Sequence, residues 1–241
     1  MGKVKIKRKS TLIDMTAMSD VTVLLLTFFM LTSTFLQKEP VTVVTPASVS
    51  EIKVPTANVA QILVSPEGKV FFSIAGEAEV GEGKNPVEWG TEPLRASILK
   101  SAVAEWNELN PSKKVTLTQS RIDAFSKIGM FGVPFTQLEK FLDMKPSDQD
   151  EYMKDLSKPG VGIPVNDNKN VARPNEFQIW LKAIRDNENS NFYDLIRSGE
   201  GVAVKADRTT PYETVHDVLD NLQTMKMNRF SLMTALKTEQ D

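Results

Sequence analysis

Asp20 stands inside an otherwise apolar stretch, MTAMSDVTVLLLTFFMLTSTFL, running from Met15 to Leu36. A carboxyl group at the centre of a membrane-spanning helix costs about 2.5–3.5 kcal/mol, so by default it faces a partner or water and has a task. The chemistry it offers is uptake and release of a proton. At 100° per residue, Thr16, Thr27 and Thr34 fall within about 40° of Asp20 around a helix, and Leu24 and Leu31 fill the same stripe. That polar face suits packing against other helices. Hydroxyls also bond back to their own helix, which would leave the stripe without meaning.

Little else in the chain is reactive. There is no cysteine, which excludes disulfides, thiolate metal sites and cysteine nucleophiles, and one histidine, His216, which excludes a multi-histidine metal site. Asp148, Asp150, Glu151 and Asp155 form a run of acids that suits the solvated face of a helix. Gly76, Gly81 and Gly83 lack the strand-to-helix context and the Lys-Ser/Thr of a phosphate loop. Asp207 and Arg208 follow a strand end, where an aspartate serves a turn. No catalytic constellation assembles, and neither enzyme activity, metal nor cofactor is expected.

The elements that position Asp20 follow from charge and hydropathy. The chain has 241 residues, and its first nine carry Lys3, Lys5, Lys7, Arg8 and Lys9 with no acid. From Lys38 onward there are 24 basic and 29 acidic residues, which offers no basic surface for nucleic acid. Met15 to Leu36 makes a helix of about 33 Å, enough for a hydrocarbon core of about 30 Å. The basic residues before it and the lone Lys38 after it place the N-terminus in the cytoplasm and the remainder outside. Residues 1–12 read as a cytoplasmic tail and 13–36 as a single-span anchor. A cleaved signal peptide is opposed by the length of the apolar run and by Asp20.

Residues 37–57 are rich in Val, Thr, Pro and Ser, and Pro40, Pro46 and Pro55 predict an extended linker. Its alternating Val41, Val43 and Ile52, Val54 suit a strand that pairs with a partner, or a passive tether. A globular domain follows over 58–241. Val59–Ser65 and Lys69–Ala75 flank Pro66-Glu67-Gly68 as a hairpin. Leu94, Ile98, Ala102, Trp106 and Leu109 follow helical spacing, Lys114–Thr118 reads as a strand, and 137–156 as a helix broken at Pro146. Phe177, Trp180, Leu181 and Ile184 share a helical face, and Gly201–Ala206 is an apolar strand. Thr210-Pro211-Tyr212-Glu213 has the pattern of a capping box. It precedes a helix with a Val215, Val218, Leu219, Leu222, Met225 stripe. Arg229–Ala235 closes the chain as a strand. The expected fold is a single N-terminal transmembrane helix plus an α+β domain, its mixed sheet covered by helices on one face. That domain carries a long, partly helical insertion at about 77–175.

Behind the Lys-rich start, IDMTAMSDVTVLLLTFFMLTSTF (Ile13 to Phe35) resembles the N-terminal segment of the ExbD/TolR biopolymer-transport proteins. That pattern is a polar lead, Thr-Pro, two or three residues, a membrane Asp and an apolar run; Ala17 stands where the proline is expected. Gly201 to Thr234 resembles the family's periplasmic strand–helix–strand ending. The resemblance implies an inner-membrane, single-pass homodimer with a periplasmic C-terminal domain. It implies an ExbB/TolQ-like multi-span partner and a TonB-like or TolA-like energy transducer, with Asp20 as the proton-handling residue of a proton-motive-force-driven motor. Such a motor serves TonB-linked outer-membrane transport, Tol-type envelope integrity, gliding or secretion. A membrane-anchored periplasmic binding domain with a structural Asp20 is the competing reading. The insertion has no counterpart in the resemblance.

Overall fold

The computed structural model describes residues 15–32, 39–48, 57–77, 89–233 and 235–236. The chain divides into two units, residues 1–37 and residues 38–241. The first contains helix α1, Met15–Thr32, in which Leu and Met favour the helix and no glycine or proline breaks it. Among the described residues, no helix is long and apolar enough to cross a membrane. Positions 13–14 and 33–36 of the expected span lie outside the described residues.

In the second unit, β2 (Val59–Val64) and β3 (Val70–Ala75) form the expected antiparallel hairpin. Its turn closes with the Ser65 N–H donating to the Lys69 carbonyl at 2.9 Å, and Gly68 sits at φ +74°. A Cβ there would meet the Thr214 hydroxyl at 2.8 Å, so both conformation and space ask for glycine. β4 (Val202–Ala206) lies parallel to β2, and β5 (Ser231–Leu232) parallel to β4. The mixed sheet has the order β3-β2-β4-β5. The outer edge of β3 is closed by single bridges to Phe131 and Ile163. The expected final strand is two short pieces: β5, and β6 (Ala235–Leu236), which pairs in parallel with β1 (Ala47–Ser48).

Strand alternation gives the sheet two faces. Ala60, Ile62, Val64, Val70, Phe72, Ile74, Val202 and Val204 point to one, and all are buried. Helices cover that face: α2 (Thr91–Leu109), α3 (Gln119–Lys127), α4 (Phe135–Leu142), α5 (Pro146–Lys154), α6 (Glu176–Arg185), α7 (Ser190–Ser198) and α8 (Tyr212–Thr224). The stretch read as an insertion packs into this same core and makes no separate lobe. Trp106 stacks on Phe135 at 4.9 Å, Phe135 on Trp180 at 5.0 Å, and Trp180 on Phe125 at 5.8 Å. This column joins α2, α3 and α4 to α6.

Two local expectations are corrected. Lys114–Thr118 is extended but is no strand, because side chains take the place of a ladder. The Asn107 amide accepts from the Val115 N–H at 2.7 Å and donates to its carbonyl at 2.9 Å, and Glu139 accepts from the Thr116 N–H. The capping box at Thr210 does not form. Its hydroxyl donates to the Ser65 carbonyl at 3.0 Å instead, and Pro211 occupies the position before α8. A capping box does form at α6, where Asn175 and Gln178 bond reciprocally.

Arg95 on α2 is buried, 5% exposed, with its guanidinium aimed at the ends of other elements. It donates to the carbonyls of Ile74 (2.7 Å), Ser126 (3.2 Å) and Gly129 (3.4 Å). Burial pulls the guanidinium down to about 10, partly opposed by Glu92.

Candidate functional site

Asp20 lies in the second turn of α1 and is exposed. Of its stripe, Leu24 (62% exposed), Thr27 and Leu31 (84% exposed) are on the same side of the helix. The Thr27 hydroxyl donates to the Leu24 carbonyl at 2.9 Å, and that of Thr22 to the carbonyls of Ser19 and Met18. The Thr27 hydroxyl proton is therefore spent inside its own helix, which leaves the oxygen as an acceptor. Thr16 is in the first turn of α1, and Thr34 lies outside the described residues. Val21, Val23, Leu25, Phe28 and Phe29, pointing in other directions, are each at least half exposed. Apolar side chains thus surround the helix on every side, with one carboxylate among them.

The linker candidates divide. Ile52 and Val54 lie outside the described residues. Val41 and Val43 are engaged by the chain's own domain, on the sheet face opposite the helices. Val43 is buried against Leu63, Phe71, Met130 and Val161, with Val41 half-buried beside it. Thr42 and Val44 point outward, so the segment has the period of a strand. At its start, the Lys205 ammonium holds Glu39 at 2.7 and 2.8 Å. At its end, the Val44 N–H donates to Asp207 Oδ2 at 2.7 Å and the Arg208 N–H to the Val44 carbonyl at 3.0 Å.

Asp207 therefore does more than serve the turn that its sequence position suggested. Its Oδ1 accepts from the Thr209 hydroxyl (2.6 Å) and N–H (2.8 Å), which with the Val44 N–H hold the carboxyl below the usual carboxylate range. The Asp-x-Thr spacing carries the local half of this. Its bond to Val44, 163 residues away, leaves no trace in the sequence.

The remaining polar groups assemble no reaction centre among the described residues. A cleft of about 870 Å³ is lined by Lys113, Lys114, Arg121, Glu139, Lys140 and Asp143 among others. Its Arg121 is occupied by a bidentate pair with Asp143 and an ion pair to Glu139 at 3.3 Å. His216 is exposed and faces Asp220 at 3.5 Å. Asp148 on α5 accepts from Ser147, and Asp155, just past its end, accepts from Ser157 and pairs with Lys158. No group of three or more His, Asp or Glu side chains is placed to hold a metal ion among the described residues.

No curated protein and no solved structure matches the chain. A family model does, that of the biopolymer transport protein ExbD/TolR, over residues 7–124. The match takes in α1 with Asp20, the docked segment at 39–48, the β2–β3 hairpin, α2 and the first part of α3. Residues 7–124, just under half of the chain, thus carry the pattern of the ExbD/TolR family of biopolymer transport proteins, whose members are components of transport machinery and not enzymes.

Proposed function

We propose that this chain is the proton-coupled subunit of an inner-membrane motor, an ExbD-like protein. It works with an ExbB-like ring and drives a TonB-like protein that energises outer-membrane active transport. The observation that carries the reading is Asp20 in a helix whose apolar side chains are exposed all round. Water does not tolerate such a surface; lipid and neighbouring membrane helices do. Counted from Met15 to Leu36, a helix of 22 residues is about 33 Å long, enough for a hydrocarbon core of about 30 Å.

Two copies of the anchor sit within the ring. Asp20 takes a proton from the periplasmic side and releases it to the cytoplasm, and each change of charge alters which ring surface the helix prefers. One elementary charge moved through 100 mV is worth about 2.3 kcal/mol, several times thermal energy, which is ample to bias a rotation. Thr16, Thr27 and Thr34 supply oxygens along the same stripe. The domain from residue 58 onward passes the motion to the transducer.

The test is energised uptake of an iron–siderophore complex in cells whose only copy carries Asp20→Asn, with abundance and membrane insertion checked by blot. Asparagine keeps shape and hydrogen bonding but cannot cycle a proton. Uptake falling to the level of a deletion strain, with the protein inserted at normal amount, supports the motor. Normal uptake together with normal detergent resistance of the envelope sinks it. Loss of envelope integrity alone moves the chain to a Tol-type motor with the same Asp20 chemistry.

A further inference from the structure

We infer that Asp207 and Lys205 form a releasable clamp on residues 39–44, which gives the connection between α1 and the folded domain two lengths. Both residues stand at the C-terminal end of β4 and grip opposite ends of the segment. Lys205 holds Glu39, and Asp207 holds the Val44 N–H. Between them the segment is bracketed by Pro40 and Pro46, and only Val43 is fully buried.

The grip is suited to opening. The segment covers the minor cluster of Leu63, Phe71, Met130 and Val161, while the main core lies on the other face of the sheet. Its ladder is two residues long, Ala47 and Ser48 against Ala235 and Leu236. Segments with few buried side chains and short ladders open without unfolding the remainder. While the clamp holds, seven peptide steps separate Thr32 from Glu39, a contour of about 24 Å. When it opens as far as Val59, 27 steps become available, about 90 Å. The same chain is then a short leash or a long one, and Asp207, with its carboxylate fixed by Thr209, is the positioning residue that sets which.

The chain has no cysteine, so single cysteines report cleanly in native membranes. Val43→Cys and, as a core reference, Ala102→Cys are exposed to a maleimide in the full-length protein. Val43→Cys is expected to react about 10-fold faster than Ala102→Cys, because it is reached by local opening. Asp207→Ala is expected to speed Val43→Cys by about a further 10-fold and leave Ala102→Cys unchanged. Asp207→Asn, which keeps an acceptor for Val44, falls between. Glu39→Gln loosens the other end and gives an independent reading should Asp207→Ala fail to accumulate. Equal rates at the two cysteines overturn the inference, as does an equal acceleration of both.

A second arm rests on the motor reading. Glu39→Cys and Lys205→Cys are joined by a short reducible cross-linker, and transport is followed before and after reduction. Transport lost on bridging and restored by reductant is the expected result. Transport indifferent to bridging means the two lengths play no part in the working cycle. The motor reading would survive that result, since it stands on Asp20→Asn.

Discussion

Replacing Arg95 with methionine removes a buried brace between α2, the end of β3 and the C-terminal end of α3. The guanidinium makes two well-formed bonds, at 2.7 Å to Ile74 and 3.2 Å to Ser126, and a weaker one at 3.4 Å to Gly129. Hydrogen bonds from a charged donor are worth about 1.5–3 kcal/mol each, so the two good ones amount to about 3–6 kcal/mol. Against this stands the cost of keeping a cation out of water. Burial lowers the guanidinium from its ordinary value to about 10, so desolvation offsets a part of what the bonds contribute. Methionine recovers part of that cost but leaves buried carbonyls unpaired, and the net is a loss of about 2 kcal/mol. The assay is guanidinium-chloride unfolding of the full-length protein in detergent, followed by tryptophan emission. Trp106 and Trp180 lie in the neighbouring core and are 8% and 0% exposed. Arg95→Lys, which keeps the charge but cannot reach three splayed carbonyls, should fall between wild type and Arg95→Met. An unchanged or raised midpoint for Arg95→Met would refute the reasoning, because desolvation would then cancel everything that the three bonds contribute.

Glu176, at the start of α6, accepts from the Phe135 N–H at 2.8 Å, and burial raises its carboxyl above the ordinary value. The folded state therefore favours the protonated form, and this contribution to stability is present at low pH and lost as pH rises through the raised value. Glu176→Gln keeps the acceptor without the charge, so its stability relative to wild type should improve between pH 4 and pH 7. Parallel unfolding midpoints across that range would contradict this. Gly132→Ala places a Cβ 2.3 Å from the Phe71 ring and 2.9 Å from the Val70 carbonyl. It should cost about 1–3 kcal/mol and loosen the face on which Val43 rests, read as a lower thermal midpoint.

The parts of the fold that were legible are those whose partners are close in sequence or whose pattern is strong. The hairpin follows from two β-rich runs around Pro66-Glu67-Gly68. The α2 stripe follows from Leu94, Ile98, Ala102 and Trp106, all buried as the spacing requires. Helix α3 offers little periodic signal, because only Ile122 and Phe125 among its nine residues are large and buried apolar ones. Lys114–Thr118 misleads for the opposite reason. Its alternation suits a strand, but one amide at Asn107 occupies both hydrogen-bonding groups of Val115. The reading of Asp20 needed only its neighbours in the chain, whereas the clamp on residues 39–44 joins positions more than 160 residues apart. Long-range polar pairing leaves no periodicity to read, so the alternation at Val41 and Val43 marks an extended segment without naming the surface on which Val43 rests.

The order β3-β2-β4-β5 has a bearing on how the protein is made. β2 is central, and its second neighbour, β4, pairs with it through Ala60 and Val202. A ribosome adding about 5–20 residues per second needs roughly 7–30 s to supply the 142 residues between those two positions. Throughout that interval the newborn hairpin carries an open, apolar β2 edge, the surface on which nascent chains pair wrongly with one another. Correct assembly therefore requires this strand to stay apart from its copies until β4 arrives, near the end of synthesis.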